Sequence, residues 1–379
     1  MKTMGTAYLR RAGAVVGIVA AASLVLTACS GTGAAPAEKV DLGSSAAVAG
    51  TVKAGALKDV TLTFVSYGGI YQDGQMAAAG TPFGAASGAK MLQDGPSDQA
   101  KIKAQVTSGN VSWDVIDTTN VFSAANCGTL FQKIDKSIVD TSKIPEGLIT
   151  DECSVPAMSY GLIIMYNTKK YGDNPPTSWE DFYDTDKFPG KRGMQAQSGE
   201  LDAGVLEGAL LADGVSADKM YPLDVKRALK KMSSIRDDTV FWTTGAQSQE
   251  LIEAGQVDMS LMWSGRAYTA VKNGAPFEPM WNQWMPEADV ITVPVGAKNT
   301  QASMAWINYY LGAEQQAKLT ELTSYSPVNS DAKPKLDELS QKFLVTAPER
   351  AKDAFKLDLG WWAENRDETL AAYTSWLAG

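Results

Sequence analysis

Short apolar runs that stop at glycine or polar tips recur along this chain, and three follow in close succession between Val257 and Asn299. Met259–Trp263 reads as a buried strand ended by the turn signal Ser264-Gly265. A second run ends in Trp281-Asn282-Gln283-Trp284; a third, Val290–Val295, is closed by Gly296 and has Asp289 just ahead of it. Strands alternating with helical segments constrain the fold to α/β, where ligands sit beyond the C-terminal ends of strands. In this segment the ends carry one guanidinium (Arg266), one carboxylate (Asp289) and the indoles of Trp263, Trp281 and Trp284. Arginine offers a planar fork to a carboxylate, and tryptophan faces hold cations and alkyl chains. The set fits a small amphoteric ligand. The plainer alternative pairs Arg266 with Asp289 at the surface and leaves Trp263 in the core.

The same alternation runs through the rest of the chain. Val60–Ser66 alternates as a strand and enters Tyr67-Gly68-Gly69, where glycines let the backbone approach a ligand or simply make a tight turn. Gln99–Ser108 has a helical period. Trp113–Asp117 reads as a strand with the polar tip Thr118-Thr119-Asn120, and Tyr160–Asn167 as another strand. Val225–Ile235 is an amphipathic helix, Phe241–Gly245 a strand end holding Trp242, and Gln249–Ala254 a short helix.

The N-terminus carries Lys2, Arg10 and Arg11 before a run of small and apolar residues to Ala28, the pattern of an export signal too short for a comfortable membrane span. Leu26-Thr27-Ala28-Cys29 resembles the bacterial lipobox, which implies cleavage of residues 1–28, acylation of Cys29 and anchoring to the cell membrane, facing the periplasm if the cell is Gram-negative. Arg10-Arg11 leaves a twin-arginine route open beside the general one. An uncleaved anchor helix is the alternative, and either version exports the domain. Residues 29–57, rich in Gly, Ala and Ser, read as a flexible tether. Outside the cytoplasm Cys127 and Cys153 are expected to form a disulfide rather than two buried thiols.

The chain has no histidine, which excludes Ser/His and Cys/His catalysis and histidine metal sites. It also lacks a nucleophile-elbow or phosphate-loop motif. No enzyme activity, metal or cofactor is expected. A net charge of −9 argues against nucleic acid and anionic lipid as partners. The residues after the tether suffice for two domains of ordinary size.

Several stretches in order complete the picture: VPAMSYGLIIMYN, SWEDFYDTDKFPGKRGM, ALLADGV, YPLDVKRAL, WTTGAQS, WSGRA, VPVGAKN, YSPVN and GWWAEN. Together they resemble the extracellular solute-binding proteins of ABC importers, in the spermidine/putrescine-binding family. The resemblance implies a two-lobed α/β clamp of the periplasmic-binding-protein type II class with a multi-strand hinge. Lobe one would comprise 58–159 and 293–326, and lobe two 160–292 and 327–379. It implies a monomeric receptor that hands a small amine-bearing solute to an ABC permease and its ATPase; a sensor lipoprotein is the alternative class. Tyr67, Gly69, Thr119, Trp242, Trp263, Trp361 and Trp362 match pocket positions, and Gln283 could bond either end of a ligand. Several polyamine binders have an acid where this chain has Arg266, which would repel a polyamine ammonium. The expected ligand is therefore a zwitterion such as an ω-amino acid or opine-like compound, held by Arg266 and Asp289, with spermidine or putrescine as the alternative.

Overall fold

The computed structural model describes residues 40–43, 45–196 and 199–379. Its strands are β1 Thr61–Val65, β2 Lys90–Asp94, β3 Val115–Thr119, β4 Ser154–Asn167, β5 Arg192–Gln195, β6 Thr239–Trp242, β7 Met259–Trp263 and β8 Phe277–Thr292. They form one sheet in the order β2-β1-β3-β8-β4-β7-β5-β6. Parallel pairing within each wing (β1 with β2 and β3; β5 with β6 and β7) is the outcome expected of strand–helix alternation.

The long antiparallel pair β4 and β8 joins the wings. β3 pairs with β8 only at 289–292, while β7 pairs with β4 only at 162–166, so the wings attach at opposite ends of this ribbon. A third crossing is the bridge between Ser159 and Ser326, with backbone hydrogen bonds of 3.0 and 2.9 Å. The result is a two-lobed α/β clamp hinged on several strands. Strand β4 starts at Ser154, ahead of the expected Tyr160, because its first residues are buried as deeply as the rest.

Two expectations about the opening segment change. Ser264-Gly265 is not a turn; it begins the helix Ser264–Lys272 directly after β7. The second and third apolar runs are one strand, β8, with Asp289 inside it. Met285 lies opposite Leu162 and Met280 opposite Ile164, so residues 281–284 are extruded as a bulge.

The helices Gln99–Ser108 and Val225–Ser233 fall where their periodicities place them. The helix Leu359–Ala378 ends the chain. It is fastened to the second wing: Tyr373 Oη donates to the Gln195 carbonyl, and Arg236 donates to the carbonyls of Trp376 and Leu377, each at 2.9 Å.

Cys127 and Cys153 are bridged, with Cα atoms 5.4 Å apart. The bond ties the end of the helix Asn120–Asn126 to the start of β4.

The leader (1–28) and the lipid-attachment cysteine Cys29 lie outside the described residues, as does the first part of the tether. The rest of the tether corrects the sequence reading. Asn308 Nδ2 donates to the carbonyls of Val48 (2.9 Å) and Thr51 (3.1 Å), and Val40 N–H donates to Gln301 Oε1 (2.9 Å). Leu57 is fully buried. Low-complexity composition hid the hydrogen bonds because on the tether's side they are made by backbone groups, which every residue carries whatever its side chain.

Candidate functional site

A cleft of about 340 Å³ opens where the wings meet on the β4/β8 ribbon. From the first wing come Tyr67, at the end of β1, and Thr119, the last residue of β3. Thr119 Oγ1 accepts from Phe122 N–H at 3.3 Å and so caps the next helix. Asp289 of β8 lies in register with Thr119 on one side and Met158 on the other. From the second wing come Trp263, at the end of β7, and Arg266, in the first turn of the following helix. Tyr71, Tyr160 and Tyr325 complete an aromatic wall, with Tyr325 edge-on to Tyr71 (5.1 Å) and to Tyr160 (5.9 Å).

Arg266 is 4% exposed and Asp289 5%. Among the described residues no ion pair joins them, and neither pairs with another charged group. The guanidinium Nη2 donates to the Gly68 carbonyl at 3.2 Å, and Nε has no partner. Gly69, at φ +58°, stands against this group: a Cβ there would meet Arg266 Nη1 at 3.0 Å. Gly245 makes room on the other side, where a Cβ would lie 2.7 Å from both Arg266 Nε and the Trp263 ring. Two glycines thus seat a buried cation that lacks a counter-ion, an arrangement costing several kcal/mol until an anion meets it.

The cleft is also rich in carboxyls. Glu200 and Asp202, on the loop after β5, line the cleft with Asp289. Trp263 Nε1 donates to Asp202 Oδ2 at 2.6 Å. Burial raises the Asp202 carboxyl to about 6, against the pull of the Trp263 and Gln195 hydrogen bonds. Burial and the neighbouring Asp202 charge raise Glu200 to about 8, with Arg366 pulling it down. Burial also holds Asp289 well above the usual carboxylate range, reinforced by Asp117, Asp202, Glu200 and Glu287. Behind the wall burial raises Asp117 to about 7, although Gln75, Tyr71 and Ser66 donate to it. Glu287 is likewise raised by burial and then by Asp202 and Glu207. A ligand ammonium would relieve this crowding, and a ligand carboxylate would complete Arg266.

Of the residues singled out in the sequence, Tyr67, Thr119, Trp263, Arg266 and Asp289 line the cleft, and Gly69 backs Arg266. Four others do not line it. Trp242 is buried in the second wing, edge-on behind Trp263 at 5.3 Å, with Nε1 donating to the Leu261 carbonyl (3.2 Å). Gln283 sits at φ 54° in the bulge of β8, its carbonyl accepting from Trp179 Nε1 (3.0 Å). Trp362 is core, with Nε1 donating to Glu207 Oε1 at 2.7 Å. Trp361 packs half-buried on Tyr221 and Trp362. The bulge also carries Trp281 and Trp284 away from the cleft, to Arg350.

The sequence reading missed Tyr71, Met158, Tyr160, Glu200, Asp202 and Tyr325. Tyr160 and Tyr325 stand inside YGLIIMYN and YSPVN, so the family motifs offered a signal for them. Glu200 and Asp202 lie in a loop without periodicity, and no local pattern marked them.

A sequence profile described as bacterial extracellular solute-binding protein matches residues 78–348. A gamma-aminobutyric acid-binding protein of Pseudomonas aeruginosa is 29% identical over 326 residues, spanning 84% of this chain and 91% of that protein. A solved GABA receptor is 37% identical with a TM-score of 0.74, covering 83% of this chain and 97% of its own. The binding protein AgtB of A. tumefaciens, solved with agropinic acid, is 32% identical with a TM-score of 0.76, covering 85% and 99%.

Proposed function

This chain belongs to the bacterial extracellular solute-binding proteins, and on that premise we propose that its cleft captures an ω-amino acid or a related zwitterion for an ABC importer. Arg266 takes the ligand carboxylate, and the ammonium lies against Asp202, Asp289 and Glu200. Tyr67, Tyr160 and Trp263 form the walls around the alkyl segment. The observation that carries the reading is the buried guanidinium of Arg266, without an ion pair among the described residues, sharing one small cleft with three carboxyls. Relatives whose names record gamma-aminobutyric acid and agropinic acid support the same ligand class.

The receptor acts outside the cytoplasm, held to the membrane by a lipid on Cys29, and passes its ligand to a permease and ATPase. Support for the anchor is the lipobox-like sequence before Cys29. Mass spectrometry of membrane-extracted protein tests it: a diacylglyceryl mass on a peptide beginning at Cys29 is expected, and an unmodified Cys29 rejects the anchor.

A second reading, polyamine binding, draws on the excess of carboxyls over cations around the cleft. Isothermal calorimetry with gamma-aminobutyric acid, 5-aminopentanoic acid, putrescine and spermidine decides between them. Heat from the amino acids alone supports the zwitterion reading; heat from the polyamines alone replaces it.

A further inference from the structure

Arg366 lies on the C-terminal helix, which is fastened to the second wing, yet its guanidinium reaches the first. Nη2 donates to Gln99 Oε1, 267 residues away in sequence, and to the Gly199 carbonyl at 3.2 Å on its own side. The guanidinium carbon stands 5.0 Å from the centre of the Phe122 ring, again on the first wing. Arg366 is 8% exposed, and its only ion-pair partner among the described residues, Asp367, is 89% exposed. A single buried cation therefore holds a hydrogen bond and a ring contact across the opening of the clamp. Any opening that carries Gln99 and Phe122 away from Arg366 breaks these contacts. Arg366 also shares a side chamber of about 270 Å³ with Thr119, Glu200 and Asp202, residues that line the ligand cleft as well.

We propose that Arg366 is the interlobe latch of this clamp, a positioning residue that holds the lobes closed through Gln99 and Phe122 from behind the ligand-lining wall of Glu200 and Asp202. Its contribution is to residence time. Capture from solution occurs with the lobes apart, when the latch is unmade, so loosening the latch cannot slow association. Release requires the latch to break. The same contacts bias the empty clamp toward closure. The inference rests on the clamp reading of the chain and not on the identity of the ligand.

Stopped-flow fluorescence with gamma-aminobutyric acid as probe, on wild type, Arg366→Gln, Gln99→Leu and the double variant, tests the rate prediction. Dissociation is expected to quicken about tenfold in Arg366→Gln, the scale of one lost charge-assisted hydrogen bond. The association rate should not fall, and it rises to the extent that the empty variant stands more open than wild type. Gln99→Leu should show part of the effect, and the two substitutions should be non-additive because they break one contact. Arg366→Lys should recover little, since an ammonium cannot bond both lobes in the geometry of the fork. A merely structural arginine would lower the melting temperature and leave the dissociation rate where it was, and that result overturns the latch.

Small-angle scattering of the ligand-free proteins supplies an arm that needs no ligand. Arg366→Gln should have a larger radius of gyration than wild type, and equal radii also overturn the proposal. If wild type does not bind gamma-aminobutyric acid, the ω-amino acid reading is weakened, and the scattering comparison alone decides the latch.

Discussion

The indole N–H of Trp263 donates to the Asp202 carboxylate at 2.6 Å, joining the end of β7 to a loop 61 residues earlier. This bond turns one wall of the cleft into a unit; on the proposed reading the ring covers the ligand's apolar part while the carboxylate, aimed by the ring, faces its charge. Asp202→Asn removes that charge but keeps a carbonyl to accept from the indole. Affinity for an amine-bearing ligand should fall by about tenfold or more, with little change in melting temperature. Calorimetry and thermal denaturation on the same samples check it; an unchanged affinity would place the ammonium elsewhere.

Arg266→Ala should weaken a zwitterion by about 100-fold or more, the scale of a truncated buried charge pair (roughly 2–5 kcal/mol). Putrescine, which gains nothing from a guanidinium, should bind no worse or even tighter. Titration of both ligands into the variant is the measurement, and equal loss for the two would contradict the assigned role.

The raised carboxyls make both stability and binding depend on pH. Asp202, Asp117 and Glu200 hold protons in the folded protein up to about 6, 7 and 8, above the range near 4 where they titrate when unfolded. The folded state therefore binds more protons over this interval, so stability is fullest below about pH 4 on this account and declines as pH rises through about 8. A bound ammonium favours the ionised carboxylates, so affinity for an amine ligand should rise between about pH 6 and pH 8, with protons released on binding. Calorimetry in buffers of different ionisation enthalpy reads that release, and proton uptake would refute the assignment.

Replacing Cys127 and Cys153 together by serine opens a loop with a sequence separation of 26. The folded state should lose roughly 3 kcal/mol on the loop-entropy account. Ligand affinity should barely change, because the bridge ties the back of the Asn120–Asn126 helix and does not reach the cleft. Denaturant unfolding beside calorimetry separates the two effects.

Trp362→Phe keeps an aromatic ring but empties the space of the indole's second ring and deprives buried Glu207 of the 2.7 Å donor bond. Stability should drop by about 1–3 kcal/mol, while affinity stays within a few-fold. A large selective loss of affinity would return Trp362 to the binding site.

What this chain's sequence determined by itself is what short-range pattern can encode. Strand-like runs with abrupt ends, separated by helical periods, specified α/β architecture, and the order of motifs specified the family. Arg266, Trp263, Thr119 and Tyr67 were legible as candidates because each stands where a strand stops, and the end of a strand is a local signal. Asp289 was legible as a retained acid, though it lies within β8 rather than ahead of it.

The tertiary structure decided which neighbours share a cleft. Trp242 has the same local signature as Trp263, the end of a strand, but the second wing packed over its ring and left Trp263 lining the cleft, while Trp362, singled out by the family motif, is buried near the start of the C-terminal helix. Gln283 was removed by a four-residue bulge that exists because β4 and β8 pair on both sides of a register shift, a property of two distant strands and of neither alone. Glu200 and Asp202 entered the site from an aperiodic loop. Side-chain direction in a strand or helix follows its period, which a sequence displays; burial and charge environment depend on contacts between segments far apart in the chain, which only the folded arrangement selects.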